Sequence, residues 1–135
     1  MALVFGPPNG DRQKAWLESI DSRLSTDLSI VTGLTAAQAH DVIAGFLEYA
    51  CQAQHITNIN FGRDGLSMLP RQWLAERIEA VVAVVLDVDD EYEFVMLSDV
   101  YGRIDVALDE QLNLRGLTSP NKDVREWAQE HFDDD

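Results

Sequence analysis

The chain has one cysteine, Cys51, so no disulfide can form within it, and a reducing compartment is expected. Bases are scarce as well. Ten Lys and Arg stand against 24 Asp and Glu, for a formal net charge of −14 and a pI near 4.3. A nucleic-acid binder needs a basic footprint, and none is present. Anionic membrane surfaces are disfavoured for the same reason. Long apolar runs are missing too. Even "AVVAVVL" (Ala80–Leu86) is flanked by charge, which argues against a membrane span. The start "MALVFGPPNG" lacks a basic flank and is too short in apolar residues for a secretory core. Together these absences lead to the expectation of a soluble cytoplasmic protein.

Signature motifs of catalysis are also lacking. The chain contains no G-x-x-x-x-G-K-[ST], no G-x-G-x-x-G, no G-x-S-x-G and no H-E-x-x-H. His40, His55 and His131 are scattered. Cys51 and His55 are one helical turn apart, so a thiolate–imidazole pair is conceivable. A buried cysteine beside a helix-end histidine is the plainer expectation. "DVDDE" (Asp87–Glu91) invites a calcium reading. An EF-hand loop counted from Asp87 would need Gly and Glu where Tyr92 and Ser98 stand. Capping and solvation account for these acids better. "NFGRDG" (Asn60–Gly65) reads as a tight interaction loop or a glycine-relaxed helix, the second being preferred. No enzyme activity, cofactor or metal is expected.

What is present points to a packed helical domain. The 135 residues are 46% hydrophobic, enough for one core without staples. A single domain over residues 1–135 is expected, with 1–10 as an N-terminal extension and 133–135 as an acidic tail. Trp16, Ile20 and Leu24 recur at helical spacing behind Asp11, a candidate cap. Gly33 interrupts the pattern. Thr35 and Gln38 form a capping box, followed by a stripe of Ala39, Val42, Ile43, Phe46, Leu47 and Ala50 running to about His55. A weaker helix surrounds Gly62 and Gly65.

Pro70 suits a first turn, and Trp73, Leu74, Ile78, Val81, Val82 and Val85 continue one helix from it. Asp89 or Asp90 caps the next, Asp105 starts another that stops at Gly116, and Ser119 or Asn121 caps the last. The pattern predicts an all-α fold, a compact stack of five to seven helices. Its expected core includes Ile43, Phe46, Trp73, Ile78, Val82, Val95, Leu108, Leu112 and Trp127. One alternative stands beside it. "AVVAVVLDVDDEYEFVML" is rich in β-branched and aromatic residues around an acidic turn, as in a β-hairpin. Its first arm merges without a break into "PRQWLAERIEA", and Phe94–Leu97 lacks alternation, so helix is the reading adopted for 81–97.

The close of the chain, "LTSPNKDVREWAQEHF", resembles the second half of a HEAT-type repeat. Pro120, Asp123, Val124, Arg125 and Ala128 carry the likeness, over 16 of 135 residues. It implies that Val124 and Ala128 pack inward and that Asp123 and Arg125 tie the turn. Trp127 departs from the pattern by its size. The block Leu69–Phe132 is also similar to a small helical protein type of bacteria to which no activity attaches. A repeat-like helix needs stacked neighbours, so the last helix is expected to close a compact stack.

Charge supplies the functional expectation. Between Asp87 and Glu110 nine acids face Arg103 alone, a segment net of −9 + 1 = −8. In size and acidity the chain resembles immunity proteins that neutralise basic bacterial toxins, which implies a basic protein partner met through an acidic face. Asp89, Asp90, Glu91, Glu93 and Asp99 are the candidate contacts, with Tyr92 and Tyr101 as exposed aromatic anchors. A plain solvated surface would also explain the acids. The alternative is a structural helical adaptor or oligomeric regulatory protein that binds through an apolar groove. Oligomeric state is not legible.

Overall fold

In a computed structural model, which describes residues 3–133, the chain forms α1 (Gly10–Ile20), a 3-10 helix (Leu28–Gly33), α2 (Ala36–Gln52), α3 (Ile56–Met68), α4 (Arg71–Ala75), α5 (Ile78–Val85), α6 (Glu91–Ile104), α7 (Val106–Gly116) and α8 (Lys122–Asp133). No strand occurs among the described residues, so 81–97 is two helices joined by a loop and not a hairpin. None of these helices is long and apolar enough to cross a membrane. Asp134 and Asp135 of the expected tail lie outside the described residues.

α2 is the hub. Its capping box is complete: Gln38 N donates to Thr35 Oγ1 at 3.1 Å and Thr35 N donates to Gln38 Oε1 at 3.1 Å. Such a cap is worth about 1 kcal/mol. Val42, Ile43, Phe46, Leu47, Ala50 and Cys51 have no exposed surface. α2 packs on α1, α3, α5 and α6, and its most extensive partner is α3. That contact explains the two glycines of "NFGRDG". A Cβ on Gly62 would lie 2.4 Å from Ala50 N, and one on Gly65 would lie 2.2 Å from the Phe46 ring. Both glycines cost helix propensity; Gly62 permits approach to the α2 backbone and Gly65 to the Phe46 ring. Trp16, Phe46, Tyr49 and Phe61 form an aromatic cluster with centroids 5.1–6.3 Å apart, in the tilted and edge-on arrangements that rings favour.

α6 is the second centre, packed on α2, α3, α7 and α8. Gly116 does not stop α7 by a left-handed turn, since the next residue, Leu117, is right-handed helical. Gly116 is instead a packing position, where a Cβ would meet Phe94 at 2.7 Å and Ala128 at 2.9 Å. Val124 and Ala128 are fully buried. Asn121 Oδ1 accepts from Asp123 N at 2.9 Å, and Arg125 Nη1 donates to Ser119 O at 2.7 Å, so the turn before α8 is tied from both sides.

Several expectations are corrected. The described residues form eight α-helices and a 3-10 helix, more than five to seven, because the helix expected from Pro70 breaks at Glu76–Arg77. There Arg77 N turns to Leu74 O at 3.0 Å. The Trp73 carbonyl accepts instead from the Arg77 guanidinium at 2.9 Å, which also lies 4.9 Å from the Trp73 ring centre. A side chain thus satisfies a carbonyl that the helix leaves open. The first helix is preceded by Asn9 rather than capped by Asp11, and Asn9 Nδ2 donates to Thr57 Oγ1 at 3.2 Å. Within the stretch read as an N-terminal extension, Leu3 and Phe5 pack on the core, and Phe5 meets Phe61 at 5.8 Å. Trp73, Val95 and Trp127 are half-buried at the edge of the core rather than within it. α2 ends at Gln52, short of His55, and the plainer expectation for Cys51 and His55 holds. Cys51 is buried, while His55 caps α3 by accepting from Thr57 N.

Candidate functional site

A groove of about 370 Å³ opens between α5 and α7, with the 86–90 loop at one end. Its floor is apolar: Val82 from α5, Leu86 and Val88 from the loop, Leu108 and Leu112 from α7. Its polar groups are Glu79, Asp87, Asp89, Gln111, Arg115 and Tyr101. None of the three carboxylates is in an ion pair among the described residues. Counting formal charges, −3 + 1 leaves −2 on the groove.

The acidic loop is held rather than loose. Leu86 leaves α5 in an extended conformation, and Val88, 8% exposed, anchors the loop to the core. Asp87 Oδ1 accepts from Asp89 N at 2.9 Å. Asp89 Oδ1 accepts from Ser119 Oγ at 2.7 Å, and its carbonyl from Asn121 Nδ2 at 2.8 Å. The loop is thereby tied to the α7–α8 connection. Asp90 Oδ2 then accepts from Glu93 N at 3.0 Å and caps α6, which also suits its charge to the positive end of the helix dipole.

Tyr101 corrects an expectation and creates a feature. It was expected as an exposed anchor, but is 4% exposed, because its place on α6 turns it toward the core under the groove. Its hydroxyl has no hydrogen-bond partner among the described residues. It is also not sealed: the enclosed side-chain polar atoms that make no hydrogen bond there are Asn113 Oδ1 and Arg63 Nε, the latter still ion-paired to Asp99. Tyr101 lines the groove, so a ligand there would lie against it. Burial raises the hydroxyl's pKa above its ordinary value, and the nearby Glu79 carboxylate raises it further.

The other candidate residues are dispersed. Glu91 and Tyr92 are exposed on the first turn of α6 beside the capping Asp90. Tyr92 donates through its hydroxyl to the Ala53 carbonyl. Glu93 is half-buried and accepts from Gln52 Nε2 at 2.9 Å and Asp87 N at 3.3 Å. Asp99 points elsewhere, into a second cavity of about 450 Å³, where Arg103 Nε lies 2.8 Å and Arg63 Nε 3.2 Å from its Oδ2. Two guanidiniums balance that carboxylate, so it adds little to an acidic face. Asp89 and Tyr101 share the groove. Glu79 and Arg115, which sequence reasoning did not select, belong to it as well. Nothing in the sequence brings α5 to α7.

The second cavity borders a polar cluster. Asp109 Oδ1 accepts from Ser98 Oγ at 2.5 Å and from Asn113 Nδ2 at 3.0 Å, and Asp109 Oδ2 lies 3.3 Å from His131 Nε2. The carboxylate stands between the hydroxyl and the imidazole. Histidine therefore has no hydrogen bond to Ser98 through which to act as its base, and the arrangement ties α6, α7 and α8 together instead. Among the described residues no three His, Cys, Asp or Glu side chains are grouped to hold a metal ion.

Comparison with family models, curated proteins and solved structures gave no match.

Proposed function

We propose that this chain is a protein-binding module that takes a basic partner on the acidic surface around the 86–90 loop, in the manner of an immunity protein neutralising a basic toxin domain. The observation that carries it is the set of carboxylates at the groove, Glu79, Asp87 and Asp89, which have no ion-pair partner among the described residues. Exposed Asp90 and Glu91 follow directly in the chain. Unpaired acids on a helix and the fixed loop beside it attract a basic surface at long range and need little reorganisation on contact. A HEAT-like close is part of the same reading, supported by inward Val124 and Ala128 and by Arg125 tying its turn.

The test uses octa-arginine as a stand-in for a basic surface. Asp89, Asp90, Glu91 and Glu93 are replaced together by Asn and Gln. Asn caps a helix as well as Asp does, so folding should be retained. Binding by the unaltered chain should weaken as salt rises to about 0.15 M, where screening acts over about 8 Å. The fourfold variant should bind more weakly at low salt. Affinity indifferent to salt and to the replacement would reject the acidic face and leave an adaptor with an apolar interface.

A further inference from the structure

The groove between α5 and α7 is more selective than a general acidic surface. We propose that it receives a single arginine side chain of the partner, with the stem along Val82, Leu108 and Leu112 and the guanidinium among Tyr101, Glu79 and Asp87. This rests on the basic-partner reading and names what that partner inserts.

Three observations converge on this occupant. The first is charge: −2 on the groove disfavours an anion. The second is the spread of the acids. They are not grouped as metal ligands are, so they suit a wide, delocalised cation better than a compact ion that needs a tight oxygen shell. The third is Tyr101. A hydroxyl on a residue 4% exposed that lines the groove, without a hydrogen-bond partner among the described residues, offers an acceptor to whatever enters. Burying a polar group unpaired is costly, so a donor from the ligand is strongly favoured there. A guanidinium carries five N–H donors in a fixed fork and can serve the hydroxyl and two carboxylates together. The apolar floor matches the methylene stem that such a side chain lays down. A volume of about 370 Å³ is at the small end for ligand clefts, in keeping with one side chain rather than a folded element.

The experiment measures octa-arginine and octa-lysine binding at low salt to the full chain and to Tyr101→Phe, Glu79→Gln and Ala83→Phe. None of these three positions is among the four acids replaced above. Tyr101→Phe removes only the hydroxyl and should weaken octa-arginine about tenfold, the scale of a hydrogen bond to a charged group. Glu79→Gln should weaken it several-fold. Ala83→Phe fills part of the groove from an exposed lining position without changing charge, and should weaken octa-arginine at least as much as Tyr101→Phe. Octa-lysine should bind the unaltered chain more weakly than octa-arginine. Melting curves check that all three variants fold; Glu79 and Ala83 are exposed, so at least those two should. Octa-arginine binding that is unchanged in Glu79→Gln and Ala83→Phe would overturn the groove while sparing the acidic face. No binding of octa-arginine by the unaltered chain would overturn both.

Discussion

One substitution, glycine to alanine, should change stability in opposite directions at two helical sites. At Gly62 the new Cβ would sit 2.4 Å from Ala50 N and 2.6 Å from Phe46 O. These are backbone atoms of α2 and cannot swing aside. Restoring ordinary contact at 3.4 Å requires α3 to move out by 3.4 − 2.4 = 1.0 Å along its most extensive interface. Overpacking of this kind costs about 1–3 kcal/mol, here toward the upper end. Alanine returns about 1 kcal/mol of helix propensity. The net is a loss of about 2 kcal/mol, or about 8 °C in Tm for a domain of this size. At Gly102, on the exposed side of α6, nothing lies within 4 Å of the added Cβ. Only the propensity gain remains, about 0.5–1 kcal/mol, so Tm should rise by about 2–4 °C. Thermal unfolding followed by far-UV circular dichroism reads both. A Gly62→Ala protein as stable as the unaltered chain would refute the close approach of α2 and α3.

Val124→Asp places an unpaired carboxylate at a fully buried position of α8. It should cost about 3 kcal/mol or more, and a Tm shift no larger than that of a surface change would mean α8 is not docked. Burial pushes the Cys51 thiol up to about 12, so the folded chain should resist alkylation at pH 8 while the denatured chain reacts. Rapid native labelling would contradict that packing. The side-chain hydrogen bond from Arg23, Nη2 to Oδ2 at 2.8 Å, holds the Asp21 carboxyl down to about 2. Its folded value is the depressed one, so whatever stability it adds is present above the ordinary carboxylate range and lost as pH falls toward 2. Arg23→Gln should return the Asp21 midpoint, read by carboxyl NMR, toward its ordinary value; an unmoved midpoint would show that Arg23 is not the cause.

Local signals in the chain were sufficient wherever one helix settles its own affairs. The capping box at Thr35, the cap at Asp90, the start at Asp105 and the stripe of α2 follow from spacing and side-chain chemistry within a few residues. Helical periodicity also prevailed over β-branched propensity in α5, because α5 buries one face against α2. The break at Glu76–Arg77 had no glycine or proline to announce it; it is stabilised by an arginine reaching its own preceding turn. The glycines of α3 looked like weakness because their benefit lies on another helix. The site divided along the same line. Sequence alone determined the acidity, the single thiol and the amphipathic helices. Tertiary structure alone decided that Tyr101 is buried, that Asp99 is balanced by two arginines, and that Glu79 and Arg115 share a groove with Asp89. Charge and periodicity are properties of neighbours along the chain, whereas burial, pairing and a groove depend on which helix faces arrive from far apart in it.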